Sequence, residues 1–224
     1  MREAVEKKVL GENDRLAAEL RERFRRENIL CVNLISSPGS GKTMLLEKTL
    51  ATFPKDAPVA VLTGDIQTDN DARRLARYGF PVRQIVTGGT CHLDARMIDR
   101  HLNEIGFHGP GILFIENVGN LVCPSSYDLG EAAKIVLLSV TEGEDKPLKY
   151  PGIFLRASLM LLTKTDLLPH VEFDSALAHE NARKIHPDIA YIALSARTGE
   201  GFSQWLSWLN AQREKITPPV AAAH

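Results

Sequence analysis

The segment Ser36-Ser37-Pro38-Gly39-Ser40-Gly41-Lys42-Thr43 constrains this chain more than any other. It follows the apolar run Ile29–Ile35 and precedes a helical pattern of Met44, Leu45, Leu46 and Leu50, which is the context a phosphate-binding loop, or P-loop, requires. Gly39 and Gly41 let the backbone curl so that successive N–H groups point inward, and a helix N-terminus adds partial positive charge behind them. Ser37, Gly39, Ser40 and Gly41 are the expected phosphate contacts. Lys42 would neutralise β- and γ-phosphate oxygens, and the Thr43 hydroxyl would sit on Mg²⁺. Ser36 stands where the motif usually begins with Gly.

The rest of the chain agrees with that context. Apolar runs at Ile29–Ile35, Val59–Leu62, Val82–Val86, Ile112–Ile115, Ile135–Val140, Leu159–Leu162 and Ala190–Leu194 read as buried strands. Helical patterns near 42–52, 69–78, 92–105, 174–185 and 202–215 fall between or after them. Continuous apolar strands alternating with helices predict an α/β fold: a mostly parallel β-sheet with helices on both faces, of the P-loop NTPase kind. Val5, Val9, Leu16, Leu20 and Phe24 recur at mostly helical spacing, so residues 1–28 read as an amphipathic helix lying across a main domain of residues 29–216. Residues 217–224, with Pro218-Pro219 and a run of alanines, read as a flexible tail.

Composition removes other classes. A net charge of −1 over 224 residues leaves no basic excess for a polyanion, so nucleic acid is not an expected partner. No apolar run approaches the ~20 residues of a membrane span, and a charged segment follows Met1, so the expected location is the cytoplasm, with no membrane partner. Cys31, Cys91 and Cys123 cannot all pair within one chain. Cys31 lies inside an apolar run and reads as a small buried hydrophobe.

A P-loop does not select the base. Thr163-Lys164-Thr165-Asp166 directly follows Leu159–Leu162 and resembles the Asn-Lys-x-Asp guanine motif. Asp166 can accept from both the N1–H and the N2 amino group of guanine, a donor pair that adenine lacks on that edge. Thr163 replaces the usual Asn, whose amide helps tie base and P-loop together. Ser195-Ala196-Arg197-Thr198-Gly199 follows a further strand and resembles the motif whose backbone N–H, here that of Ala196, meets guanine O6. Lys-x-Asp alone is common in solvated loops; two such segments at strand ends, in this order, favour GTP over ATP.

Gly64-Asp65 and Glu116 come at the ends of strands and should emerge beside the P-loop. Asp65 is expected to position the attacking water or a metal-bound water, and Glu116 to take the Walker-B-like role on Mg²⁺, with Asp69 a further candidate. Lys42, Asp65 and Glu116 form the expected catalytic set.

Four further segments carry a family resemblance: Glu116-Asn117-Val118-Gly119-Asn120-Leu121-Val122-Cys123-Pro124, Gly64-Asp65-Ile66-Gln67-Thr68-Asp69-Asn70-Asp71, Thr87-Gly88-Gly89-Thr90-Cys91-His92-Leu93 and Asp145-Lys146-Pro147-Leu148-Lys149-Tyr150-Pro151. From about residue 29 to about residue 210 the chain resembles HypB, the nickel-incorporation GTPase family of [NiFe]-hydrogenase maturation. The resemblance implies a homodimeric accessory GTPase of the signal-recognition/MinD (SIMIBI) class, working with the metallochaperone HypA to deliver Ni²⁺ to the hydrogenase large-subunit precursor. The Val-Gly-Asn-Leu-Val-Cys-Pro segment and the Cys-His pair separate it from the urease counterpart UreG. Many relatives also carry a Cys-rich or His-rich segment near the N-terminus, and neither occurs within these residues.

Cys91, His92 and Cys123 are thiolate and imidazole ligands, which suit Ni²⁺ or Zn²⁺ better than Mg²⁺. They make an incomplete tetrahedral set, and the dimer that the resemblance implies would complete it with a second copy. His101, His108, His170, His179, His186 and His224 lack ligand spacing and read as surface or packing residues. Cys123 lies four residues after Gly119, whose N–H is expected to meet the γ-phosphate, so hydrolysis should move a metal ligand. Lys146 and Lys149 lie on a loop expected to reach the active site or the partner subunit. The alternatives are a UreG-like or other metallocofactor-maturation GTPase, including a cobalamin-mutase chaperone, and a nucleotide-gated metal-binding module whose hydrolysis is incidental.

Overall fold

The computed structural model describes residues 2–65 and 69–216, with backbone alone over residues 2–7. The expected tail 217–224, the side chain of Val5 and the segment Ile66-Gln67-Thr68 lie outside the described residues. Seven strands form one sheet: β1 (Ile29–Ser36), β2 (Val59–Asp65), β3 (Val82–Val86), β4 (Gly111–Glu116), β5 (Ala133–Ser139), β6 (Leu159–Thr163) and β7 (Ala190–Ala193). Their order is β3-β2-β4-β1-β5-β6-β7, and every pairing is parallel. Parallel pairing forces each connection to cross a face of the sheet, so both faces are covered and the inner strands are apolar on both sides.

Alternation along β1 shows how the layers divide. Leu30, Val32 and Leu34 join a cluster with Leu45, Leu46 and Leu50 of α2 (Lys42–Leu50) and Trp205 and Leu209 of α8 (Phe202–Ile216). Ile29 and Cys31 turn the other way, to a cluster with Ala17, Leu20 and Phe24 of α1 (Arg2–Arg26) and Ile98 and Leu102 of α4 (Ala95–Ile105). Cys31 is fully buried and burial pushes its thiol well above the ordinary value, as a packing cysteine requires. A third cluster covers β5 and β6 with Ile153 and Phe154 of α6 (Pro151–Arg156) and Ala178 and Ala182 of α7 (Ser175–Ile185).

Element ends follow local chemistry. Asp94 caps α4 by accepting from Met97 N–H at 2.8 Å, so that helix starts at Ala95 and not near 92 as periodicity suggested. Strand β2 runs on through Gly64 and Asp65, three residues past the expected apolar run. The segment read as a loop around Lys146 and Lys149 is a short helix, α5 (Lys146–Lys149), which α6 follows after Tyr150. The remaining helix, α3 (Asn70–Ala76), follows β2.

Helix α1 docks through more than its apolar stripe. Asn13, 5% exposed, accepts from Ala95 N–H at 2.9 Å and donates to the Asp128 carbonyl at 2.9 Å. Arg21 makes a two-pronged bond to Asp128 at 2.6 Å, and Arg23 donates to Asn103 of α4 at 2.7 Å. An unmade buried hydrogen bond costs about 1–3 kcal/mol. Replacing Asn13 by Ala strands two backbone groups at once, so Asn13→Ala is expected to lower unfolding free energy by about 2 kcal/mol or more in urea titration, at unchanged m-value. Glu12→Ala, on the exposed side, should stay within about 0.5 kcal/mol. Equal midpoints for the two variants would contradict this docking of α1.

Candidate functional site

Register sets the site before any side chain is considered. Leu34 of β1 lies opposite Glu116 of β4, and Thr63 of β2 lies opposite the same Glu116. The ends of β1, β4 and β2 therefore bring Ser36, Glu116 and Asp65 to one edge, at the point where strand order reverses about β1. A cleft of about 680 Å³ opens there, a size suited to a nucleotide. Its lining includes Gly39, Gly41, Lys42, Thr43, Asp65, Glu116, Gly119, Lys164, Asp166, Ser195 and Ala196.

Within the P-loop, Gly39 and Gly41 have φ of 75° and 97°, which side chains rarely adopt. The curl leaves α2 without a side-chain N-cap, so its first N–H groups stay available for an anion. Lys42 is 8% exposed and donates to Ser36 Oγ at 2.9 Å. Burial lowers the Lys42 pKa, with Glu116, Asp71 and Glu142 opposing that shift. Thr43 donates its hydroxyl to Glu116 Oε1 at 2.7 Å. Glu116 is 4% exposed, and its Oε2 has no hydrogen-bond partner among the described residues. Burial pushes the Glu116 carboxyl up to about 7, although Lys42 and the Thr43 hydroxyl pull it down. Buried carboxylate oxygen, threonine hydroxyl and the nearby Asp65 form a hard-oxygen donor set, which suits Mg²⁺.

The side chains of two of the expected phosphate contacts, Ser37 and Ser40, turn elsewhere. Neither Ser37 nor Ser40 lines the cleft. Ser40 Oγ donates to Glu142 Oε1 at 2.8 Å, and Lys146 Nζ lies 3.4 Å from Ser37 Oγ and 3.3 Å from Glu142 Oε2. Burial alone would raise the Glu142 carboxyl, but hydrogen bonds from Ser37, the Ser139 N–H and Ser40 outweigh it and hold the group below its usual value. Glu142, three residues past β5, thus braces the outer side of the P-loop. Its sequence signal is slight, one acid in the loop that leaves a strand beside β1. Lys149 is exposed and pairs with Asp145 at 2.6 Å, so of the two lysines Lys146 is the one near the P-loop. Asp69 pairs with Arg73 at 2.8 Å and does not line the cleft.

At the far end of the cleft, Asp166 accepts from Ser195 Oγ at 2.6 Å. Thr163 sits behind it, and its hydroxyl lies 2.7 Å from the Ser40 carbonyl of the P-loop. The hydroxyl therefore keeps the tie to the P-loop that an Asn amide usually supplies, with a shorter reach.

Cys91, His92 and Cys123 converge outside the cleft. Among the described residues they are the one such group, their ligand atoms all within 4.8 Å of one another. Cys91 Sγ lies 2.6 Å from Cys123 Sγ and 3.9 Å from His92 Nδ1. The His92 ring stacks on Tyr127 at 3.8 Å, a partner that spacing did not reveal. The bond shared with Cys123, then burial, raises the Cys91 pKa, while burial lowers that of His92 despite Asp94 nearby. Burial thus favours the neutral, ligating form of His92; the thiols must lose protons to ligate. All three residues are partly exposed, which leaves the set open to further ligands.

Residues 30–193 match the model of the CobW/HypB/UreG nucleotide-binding domain. The hydrogenase maturation factor HypB of Azotobacter chroococcum is 54% identical over 93% of this chain and 68% of that protein. The hydrogenase/urease maturation factor HypB of Helicobacter pylori is 42% identical, covering 92% of this chain and 86% of the relative. A crystal structure of Helicobacter pylori HypB in complex with nickel superposes with a TM-score of 0.84 at 41% identity, covering 94% of this chain and 99% of that one. The signal recognition particle 54 kDa protein of Aeropyrum pernix shares the fold at a TM-score of 0.54 and 13% identity, over 84% of this chain and 49% of that one. With a nucleotide-binding cleft and a cysteine-histidine cluster on one continuous fold, this chain belongs to the HypB hydrogenase maturation factors of the CobW/HypB/UreG family.

Proposed function

We propose that this protein is a GTP-hydrolysing metallochaperone that helps insert nickel into [NiFe]-hydrogenase, coupling its nucleotide state to Ni²⁺ or Zn²⁺ binding at Cys91, His92 and Cys123. The observation that carries the proposal is the single segment Glu116–Cys123, which begins at the nucleotide cleft and ends at the metal cluster. The nickel-bound relative supports nickel as the cargo. Guanine selectivity rests on Asp166, whose carboxylate lies at the cleft and is held by Ser195 until a base arrives. Lys164 lines the same cleft, and the Ala196 N–H would meet guanine O6.

For hydrolysis, Lys42 exchanges its bond to Ser36 for the β- and γ-phosphate oxygens, and the N–H groups of Gly39 to Thr43 surround the phosphates. Thr43 and Glu116 would hold Mg²⁺, with Asp65 on a metal-bound or attacking water; the unpartnered Glu116 Oε2 is the oxygen that fits this task. The cation would neutralise charge developing on the phosphates. Gly119 brings its loop onto the P-loop, since a Cβ there would lie 3.0 Å from Pro38. Its N–H would then meet the γ-phosphate.

The metal set supports pairing of two copies as a homodimer. Three ligands leave a position open, and Val122, immediately before Cys123, is an apolar side chain 58% exposed that a second subunit would cover. A HypA-type metallochaperone and the hydrogenase large-subunit precursor are the proposed donor and acceptor. Release that requires hydrolysis, and fails with a non-hydrolysable analogue, is expected for this role. Equal release with the analogue would instead describe a passive metal-binding module.

Lys42→Ala is expected to reduce GTP turnover by at least about 100-fold, because charge developing between the β- and γ-phosphates loses its main protein cation. Turnover near the wild-type rate would sink the P-loop assignment. Asp166→Asn should shift preference towards xanthosine triphosphate, since xanthine carries a carbonyl where guanine has its amino donor. Competition binding that still favours GTP would remove Asp166 from the base site. Cys123→Ala should weaken Ni²⁺ binding and the dimer formation linked to it, while sparing hydrolysis more than Lys42→Ala does. Nickel titration with mass followed by light scattering reads both effects, and unchanged stoichiometry and affinity would exclude Cys123 as a ligand.

A further inference from the structure

Cys123 reaches the cleft through its own loop, but Cys91 and His92 lie on a different loop, between β3 and α4. Motion of Cys123 alone would open the cluster only if the second loop stayed still or moved otherwise. How the two loops are joined therefore decides what the metal ligands do when the phosphate changes.

The join is a buried carboxamide. Asn117 follows Glu116 and is 2% exposed. Its Oδ1 accepts from Val118 N–H at 3.0 Å, on the loop that carries Gly119 and Cys123. The same Oδ1 accepts from Leu93 N–H at 3.3 Å, the residue after His92. Two backbone N–H groups converging on one atom fix which end of the amide is oxygen, because the opposite orientation would set donor against donor. The Nδ2 end then donates to Asn33 Oδ1 at 3.3 Å, and Asn33 Nδ2 donates to Glu131 Oε1 at 3.1 Å. Glu131 pairs with Lys134 at 3.3 Å, and Lys134 donates to the carbonyl of Tyr127, the residue stacked on His92.

Leu93 is held from the catalytic side as well. A Cβ on Gly64, the neighbour of Asp65, would lie 2.9 Å from Cγ and both Cδ atoms of Leu93. The side chain of Leu93 rests against bare backbone beside Asp65, while its N–H is held by the neighbour of Glu116. A chain segment fastened at both these points cannot keep its position if the strand ends rearrange around a γ-phosphate.

We infer that Asn117 is the positioning residue that couples the phosphate-sensing loop to the Cys91-His92 loop, so that both halves of the metal cluster respond together to the nucleotide. The inference rests on the nucleotide-gated reading above and adds the route by which gating reaches the second half of the site. Asn117 also lines the cleft, but the role inferred for it is exerted through Leu93 and Val118. Removing its amide breaks the ties at Leu93 and Val118 and leaves the long Asn120 bond to the Cys91 carbonyl, at 3.4 Å, as the remaining polar tie from the Gly119 loop to Cys91, so nickel affinity then loses most of its dependence on nucleotide.

The test is nickel titration of the full chain with GDP and with a non-hydrolysable GTP analogue, read by thiolate-to-nickel charge-transfer absorption. Coupling of this kind corresponds to a ratio of affinities of about 5–150 between the two states. In Asn117→Ala the ratio is expected to fall to within about twofold of one. Asn117→Asp keeps an oxygen facing Leu93 and Val118 and should retain most of the ratio; its added charge beside Glu116 is why affinity ratio, not turnover, is read. Gly64→Ala, which displaces Leu93 from the opposite side, should also lower the ratio and serves if Asn117→Ala fails to fold. A wild-type ratio preserved in Asn117→Ala, affinities weakened equally in both states, or loss of the ratio in Asn117→Asp as well would each overturn the coupling role. Equal affinities in the wild-type protein would overturn the nucleotide-gated reading and this inference together.

Discussion

Parallel pairing of β1 with β4 on one side and β5 on the other is the constraint on which this molecule depends. Because strand order reverses about β1, the loops leaving β1, β4 and β2 spread apart from one another and leave a crevice at one edge. Glu116 and Asp65, the two carboxylates with proposed catalytic roles, are delivered there by strand register, while Lys42 and Thr43 arrive at the start of α2. Ser36, Glu116 and Asp65 end three strands whose pairings are fixed by apolar contacts on both faces. A slip of one residue in β4 would turn Glu116 to the opposite face and bury an apolar side chain poorly in its place. The core therefore enforces the position of the carboxylate, although the carboxylate itself is costly to bury. Its raised pKa records that cost.

A second constraint is polar. Three asparagines, Asn13, Asn33 and Asn117, are buried in or beside the layer between the sheet and helices α1 and α4. Apolar side chains would pack there without a desolvation penalty, so each asparagine must be satisfied fully or it destabilises the fold. They are satisfied by backbone groups of the segment 93–95 and of the loops after β4, by one another and by the Glu131 carboxylate. Asn13 holds Ala95 N–H and Asn117 holds Leu93 N–H, so the chain just after His92 is fastened at two points. Asn120 adds a donor to the Cys91 carbonyl at 3.4 Å. The metal loop, which has few apolar residues of its own, takes its position from these amides.

How much of this was legible in the sequence follows the same division. Strands buried on both faces show as continuous apolar runs, and the seven strands stand where those runs lie. The P-loop and the segment with Asp166 were legible because their chemistry demands particular residues at fixed spacing. Cys91, His92 and Cys123 were a weaker signal, since His92 and Cys123 stand 31 positions apart and only a family resemblance joined them before the fold did. The helices at 146–149 and 151–156 left no trace because four and six residues are too few for a helical period. Asn33 and Asn117 were the least legible. A single polar residue within or just after an apolar run has no periodic signature, and its meaning lies in partners up to 98 residues away. The substitution at Thr163 looked like a lost contact in one dimension, whereas the hydroxyl reaches the Ser40 carbonyl because β6 and the P-loop are close in space.

On the proposed reading the cluster and the cleft would also constrain each other thermodynamically. If the γ-phosphate state changes nickel affinity, linkage requires nickel to change nucleotide affinity by the same factor, about 1–3 kcal/mol in typical couplings. An open three-ligand site is suited to that range. A closed four-ligand site of the structural kind holds its metal with apparent free energies of about 10–16 kcal/mol, which a coupling of a few kcal/mol could not overturn. With two thiols that must deprotonate, one imidazole whose neutral form burial favours and a position left open, the proposed site would sit at the end of the scale where a shift in loop position decides between holding and releasing. On the proposed reading, the three ligands of one copy would hold a metal less firmly than a closed four-ligand site, which suits a metal that is to be handed on.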